Sequence, residues 1–191
     1  FDTLDRAMGL PPMQNSDGDD LMFHNVRFPL ANGVTQKDIA TRVNAIGQQI
    51  GATYQGESLV VVGLLKNSLV FMADLMRAIP VPFRSYTLRV AHVSETRKGP
   101  TSVQVLYGSE VPVEGQHVLI VDDVVDTGVT LAYVRDHLAV RQPKSIRIAV
   151  LIDRTALRKT QIVPEWSVFR METEQDDRFL VGYGLDYADY Y

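Results

Sequence analysis

The sequence predicts an α/β fold, a mainly parallel central sheet with flanking helices. Three nearly continuous apolar runs carry that expectation: SLVVVGLL at Ser58–Leu65, VLIV at Val118–Val121 and IRIAVLI at Ile146–Ile152. Apolar strands without polar alternation suit a sheet covered on both faces, as parallel sheets are. The second observation is that helical periodicities separate these runs, and strands alternating with helices are the pattern of a parallel sheet.

In chain order, residues 1–20 read as loop, with Pro11-Pro12 and a polar run from Asn15 to Asp20. The cluster Asp17-Gly18-Asp19-Asp20 lacks the closing Glu of a calcium loop and reads as a solvated turn. Leu21 to Phe28 is expected to form a strand. Thr35, with Asp38 three residues on, has the spacing of a capping box. Behind it Ile39, Val43, Ile46 and Ile50 mark one face of a helix ending near Gly51. The strand Ser58–Leu65 runs into Lys66-Asn67-Ser68 and a helix through Leu69, Met72, Ala73 and Met76. Arg84–Val90 and Ser102–Leu106 suggest two further strands. The polar stretch 94–101 between them, with Arg97, Lys98, Gly99 and Pro100, fits a mobile loop.

The densest chemistry lies in HVLIVDDVVDTGVTL, His117–Leu131. Its apolar run is followed by Asp122 and Asp123, two valines, then Asp126-Thr127-Gly128. From Val129 the spacing of Leu131, Val134 and Leu138 is helical. The acids and the glycine are therefore expected in a loop between the end of a strand and the start of a helix. In open α/β sheets ligands bind there, and free amides at the helix start suit a phosphate.

This stretch resembles the signature of the type I phosphoribosyltransferases, and its Asp-Thr-Gly version is most similar to the hypoxanthine-guanine group. The resemblance extends over most of the chain from about Leu21. Gly63-Leu64-Leu65-Lys66 with Val70–Leu75 is similar to the family's diphosphate-binding strand and helix, where the Leu-Lys peptide is typically cis; Asn67 stands where Gly is usual. Asp177–Tyr187 matches a C-terminal family block. The resemblance implies Leu65, Lys66 and Asn67 at diphosphate, and Asp122 and Asp123 on the ribose hydroxyls, directly or through Mg2+. Asp177 would serve a second magnesium site. Asp126 would exchange a proton with the purine as general acid/base. The amides of Thr127, Gly128 and Val129 and the Thr130 hydroxyl would cradle the 5-phosphate. The base would meet Arg154, in place of the family's Lys, with Trp166 stacking and Ser167 offering backbone groups. The competing assignment for Arg154 is a side chain turned to solvent, or an ion pair with a nearby acid such as Asp153 or Glu165.

The same resemblance implies a single domain over 1–191, with a small hood from the chain ends, 1–30 and 155–191, and a lid at 94–101. The implied reaction takes a phosphoribosyl group from phosphoribosyl diphosphate to a 6-oxopurine. A transferase for another base, or a non-catalytic RNA-binding regulator on the same fold, are the alternatives. Composition narrows the partners. The net charge of −4 disfavours nucleic acid. With no Cys, any metal should be a hard cation on oxygen ligands. No run is long enough to span a membrane and no secretory leader is visible, so a cytoplasmic location is expected. A homo-oligomer, dimer or tetramer, completes the expectations.

Overall fold

The computed structural model describes residues 34–94, 101–107, 111–172 and 183–185. The expected strand at 21–28, the acidic turn at 17–20 and Asp177 lie outside them.

The first helix, α1 (Gln36–Thr53), starts where the capping box places it. Thr35 Oγ1 accepts from the Asp38 amide at 3.2 Å, and the Asp38 carboxylate accepts from the Thr35 amide at 2.9 Å. The Thr35 hydroxyl, which also donates to the Asp38 carboxylate at 2.6 Å, and then the Thr35 amide hold that carboxyl below its ordinary range. The buried face of α1 carries Ile39, Val43, Ile46 and Ile50. It packs on α2 (Leu69–Ala78) so closely at Gly47 that a Cβ there would stand 2.7 Å from the Ala78 backbone.

Six strands follow: β1 (Leu59–Leu65), β2 (Phe83–Ser94), β3 (Thr101–Tyr107), β4 (His117–Val125), β5 (Ser145–Arg154) and β6 (Trp166–Met171). The third helix, α3 (Val129–Ala139), connects β4 to β5. The strands form one sheet in the order β3-β2-β1-β4-β5-β6. All neighbours are parallel except β2 and β3, which pair antiparallel at the edge. The expected strands at 84–90 and 102–106 are thus the arms of one hairpin, and residues 95–100 of the expected lid lie outside the described residues.

The apolar runs divide by strand parity. Leu59, Val61, Leu119 and Val121 join α1 and α2 in one core, while Val60, Val62, Val118 and Ile120 join Leu131, Val134 and Leu138 of α3 in the other. The chain leaves β1 toward β2 on one side and β4 toward β5 on the other. Right-handed crossovers then put α2 and α3 on opposite faces, and the sheet reverses direction between β1 and β4. The carboxyl ends of those two adjacent strands make a topological switch point.

Two expectations change. Asp122 and Asp123 lie inside β4, not in a loop, because pairing with β5 continues to Val125 opposite Asp153. Only Asp126–Gly128 separate strand from helix. Part of the expected hood, Trp166–Met171, is instead the sixth strand of the main sheet. No helix among the described residues is long and apolar enough to cross a membrane.

Candidate active site

At the switch point a cleft of about 340 Å³ opens between the ends of β1 and β4. Leu64, Leu65, Lys66 and Asn67 line one wall, Asp122, Asp123 and Val124 the other, with Thr130 of α3 and Arg89 of β2 beside them. The Leu65–Lys66 peptide is cis, as the resemblance implied. Asn67 begins the turn into α2, whose first residues are held by Leu69 N–H on Lys66 O at 3.1 Å. Arg89 was not singled out in the sequence. It lies in the middle of β2, level with Leu65 at the end of β1, and becomes meaningful only once the two strands are placed side by side.

The two acids crowd each other. The Asp123 amide donates to Asp122 Oδ1 at 3.1 Å, and both side chains are partly buried. Burial, and then the charge of Asp123, push the Asp122 carboxyl well above its ordinary range; burial also raises Asp123. Two adjacent, partly desolvated carboxylates opposite Lys66 and Asn67 make a donor set of hard oxygens whose mutual repulsion a divalent cation would relieve. The residues present therefore fit Mg2+. Among the described residues no group of three or more His, Cys, Asp or Glu gathers around such a point, so the remaining ligands would be substrate oxygens and water, as Mg2+ commonly has.

Beyond the acids the chain turns through Asp126, Thr127 and Gly128. Gly128 has φ +80°, a left-handed conformation that costs other residues about 1–2 kcal/mol. A Cβ there would also stand 2.2 Å from Thr160 Oγ1. Its carbonyl takes the Ala132 amide at 2.9 Å and starts α3, while the Val129 amide makes only a long 3.4 Å contact with Thr127 Oγ1. The first amides of a helix have no carbonyl of a preceding turn to donate to, which suits the start of α3 to an anion.

Arg154, at the end of β5, reaches the acid that opens the turn. Its Nη1 lies 3.3 Å from Asp126 Oδ1, joining the expected base-reading cation to the expected proton-exchanging acid. Glu165 accepts from the Ile148 amide at 2.8 Å. Asp153 is 2% exposed and pairs with Arg158 and Arg170. Sequence reasoning passed over Arg158, since a buried cation among Leu, Lys and Thr breaks no pattern.

Trp166 and Ser167 must be moved away from the base. They open β6 opposite Ala149 and Val150, while Met171 is the residue level with Arg154. At about 3.3 Å per residue, Trp166 lies roughly 16 Å back from the strand ends that carry Arg154. Its ring is 6.3 Å from that of Tyr54, with the Arg147 guanidinium over both. Trp166 is part of the packing at the amino end of the sheet.

The family model of the phosphoribosyl transferase domain matches residues 34–188. A hypoxanthine phosphoribosyltransferase of Haemophilus influenzae is 37% identical over 158 residues, covering 81% of this chain and 86% of the relative. A hypoxanthine-guanine phosphoribosyltransferase of Aquifex aeolicus is 34% identical over 156 residues, covering 81% and 85%. A solved hypoxanthine phosphoribosyltransferase from Staphylococcus aureus matches with a TM-score of 0.75 at 32% identity, covering 91% of this chain and 92% of that one.

Proposed function

The chain belongs to the phosphoribosyl transferase family, and from that premise we propose that it transfers the phosphoribosyl group of phosphoribosyl diphosphate to hypoxanthine or guanine. The products are the nucleoside 5-monophosphate and diphosphate, a purine-salvage reaction. The observation that carries this reading is the convergence at one switch point of a cation-walled cleft, an acid pair and an amide-lined turn.

The bond broken joins the anomeric carbon to the leaving diphosphate, and the sugar passes through an oxocarbenium-like state. Lys66, Arg89 and the turn at Asn67 face the polyanion that departs. Asp122 and Asp123 hold the ribose hydroxyls and would hold Mg2+, which when bound supplies charge neutralisation for the diphosphate. The amides of Thr127, Gly128 and Val129, with the Thr130 hydroxyl, anchor the 5-phosphate. A 6-oxopurine presents two acceptors on one edge, the ring nitrogen N7 and the exocyclic oxygen. The Arg154–Asp126 pair offers a donor beside an acid along the same line. The base reacts as its N7–H tautomer, whose N9 lone pair attacks the anomeric carbon as the bond to diphosphate breaks: Asp126 would take the N7 proton, leaving N7 the acceptor it is in the nucleotide, while Arg154 would donate to the exocyclic oxygen. Fixed positioning supplies much of the acceleration in such a site.

Steady-state transfer from phosphoribosyl diphosphate to hypoxanthine, guanine, xanthine and adenine tests the reading. Hypoxanthine or guanine should give the highest kcat/KM, and absence of transfer to every base would refute it. A cytoplasmic homo-oligomer, dimer or tetramer, belongs to the same reading, and light scattering on the purified protein measures the assembly.

A further inference from the structure

Arg158 lines no part of the cleft, yet it grips the back of the turn that follows the acid pair. Its side chain is 13% exposed. Nε donates to the Asp126 carbonyl at 2.9 Å and Nη2 to the Val125 carbonyl at 3.4 Å. Nη1 donates to the Ile162 carbonyl, and the Asp153 carboxylate closes on Nη2. The next residues continue the same seam: the Lys159 amide and the Thr160 hydroxyl both donate to the Thr127 carbonyl, at 3.0 and 3.2 Å.

The consequence follows from peptide geometry. In a planar trans peptide the carbonyl and the following N–H point in opposite directions. Tying the carbonyls of Asp126 and Thr127 to the 158–160 segment therefore turns the amides of Thr127 and Gly128 away from it, toward the open side of the turn. Gly128 fits the same seam, since a Cβ on it would meet Thr160 Oγ1 and Arg158 Cδ. The fork of a guanidinium is needed for this, because one group must reach two successive carbonyls and a buried carboxylate together.

We propose that Arg158, clamped by the buried Asp153, is a positioning residue for the 5-phosphate: through the Asp126 carbonyl it sets the peptide plane that aims the Thr127 amide at the anion, while Lys159 and Thr160 beside it set that of Gly128. The identity of that anion rests on the phosphoribosyl reading above. A role confined to neutralising Asp153 needs only a positive charge, whereas aiming the Thr127 amide needs the fork. Arg158→Lys separates the two.

The test measures ribose 5-phosphate binding by calorimetry, and KM for phosphoribosyl diphosphate, in wild type and Arg158→Lys. Loosened charge-assisted bonds to a phosphate should weaken both by about tenfold. Because the phosphate is held alike in ground and transition states, KM should carry the loss and kcat stay close to wild type. Wild-type affinity for ribose 5-phosphate, or a fall in kcat with KM unmoved, overturns the proposal. Thr160→Val, which removes one bond to the Thr127 carbonyl at similar volume, should give a smaller loss of the same kind. It decides the matter if Arg158→Lys does not fold, and unchanged binding there counts against the seam. If the wild type binds ribose 5-phosphate but transfers to no base, the phosphoribosyl reading fails while the binding comparison still judges Arg158.

Discussion

The contact between Asp126 and Arg154 ties proton transfer to base choice, because one side chain cannot be altered without changing the setting of the other. Asp126 is about half exposed and Arg154 is 13% exposed, so the acid is reachable from solvent while the cation is packed. Replacing Asp126 with Asn keeps the volume and removes the proton acceptor. The expected outcome is a fall in kcat of roughly 10²–10⁴-fold, with phosphoribosyl diphosphate affinity changed far less; equal losses in both would assign Asp126 to the phosphate turn alone. Arg154→Ala acts on the purine instead. Leaving the exocyclic oxygen without its donor costs about 1–3 kcal/mol, or roughly 5- to 150-fold at 1.4 kcal/mol per decade. Adenine, which carries a donor there, should lose little. A base ranking unchanged by the substitution would remove Arg154 from recognition.

The turn between β4 and α3 is where backbone shape limits what the sequence can vary. Gly128→Ala meets two obstacles, a φ of +80° and Thr160 Oγ1 at 2.2 Å. Gly56, at φ +77° with nothing within 4 Å of a Cβ, meets only the first. Gly56→Ala should therefore cost about 1–2 kcal/mol, and Gly128→Ala about 1–3 kcal/mol beyond that, together with ribose 5-phosphate binding. Urea unfolding of the two variants checks the difference, and equal midpoints would show that the seam yields. The sequence revealed these elements unevenly, for physical reasons. β4 and α3 are legible because burial on two faces, and then on one, imposes different periods on Val118–Val121 and Leu131–Leu138. The end of β4 was misjudged at Asp122: a carboxylate reads as loop, and only pairing with β5 keeps it in the strand. Trp166 was misplaced because an aromatic beside an apolar run looks the same at either end of a strand. Which end it occupies depends on register with β5, a non-local property. Arg158 left no trace, since its partners are carbonyls and an acid brought together by the fold.

At the scale of the whole molecule, the sheet concentrates an electrostatic cost at the point where it reverses. Asp122 has its carboxyl raised by burial and by Asp123. An acid with a raised folded-state value binds its proton more tightly folded than unfolded. Its contribution is therefore best at acid pH and worsens as pH rises through that value, so at neutral pH the buried carboxyl opposes folding. Asp122→Asn removes one charge at nearly the same volume and should raise the Tm of the ligand-free protein. The same change should impair what the pair is for. In wild type, Mg2+ with phosphoribosyl diphosphate at a hundred times its Kd should add about 2.7 kcal/mol. For a chain of this size that is a rise in Tm of roughly 5–11 °C, and a chelator should abolish most of it along with transfer. In Asp122→Asn the ligand-linked rise should shrink sharply although the starting Tm is higher. This inverse pairing separates a functional acid pair from a structural one. If Asp122 served the fold, the ligand-free variant would melt below wild type, and that result would overturn the assignment of the pair to metal and ribose.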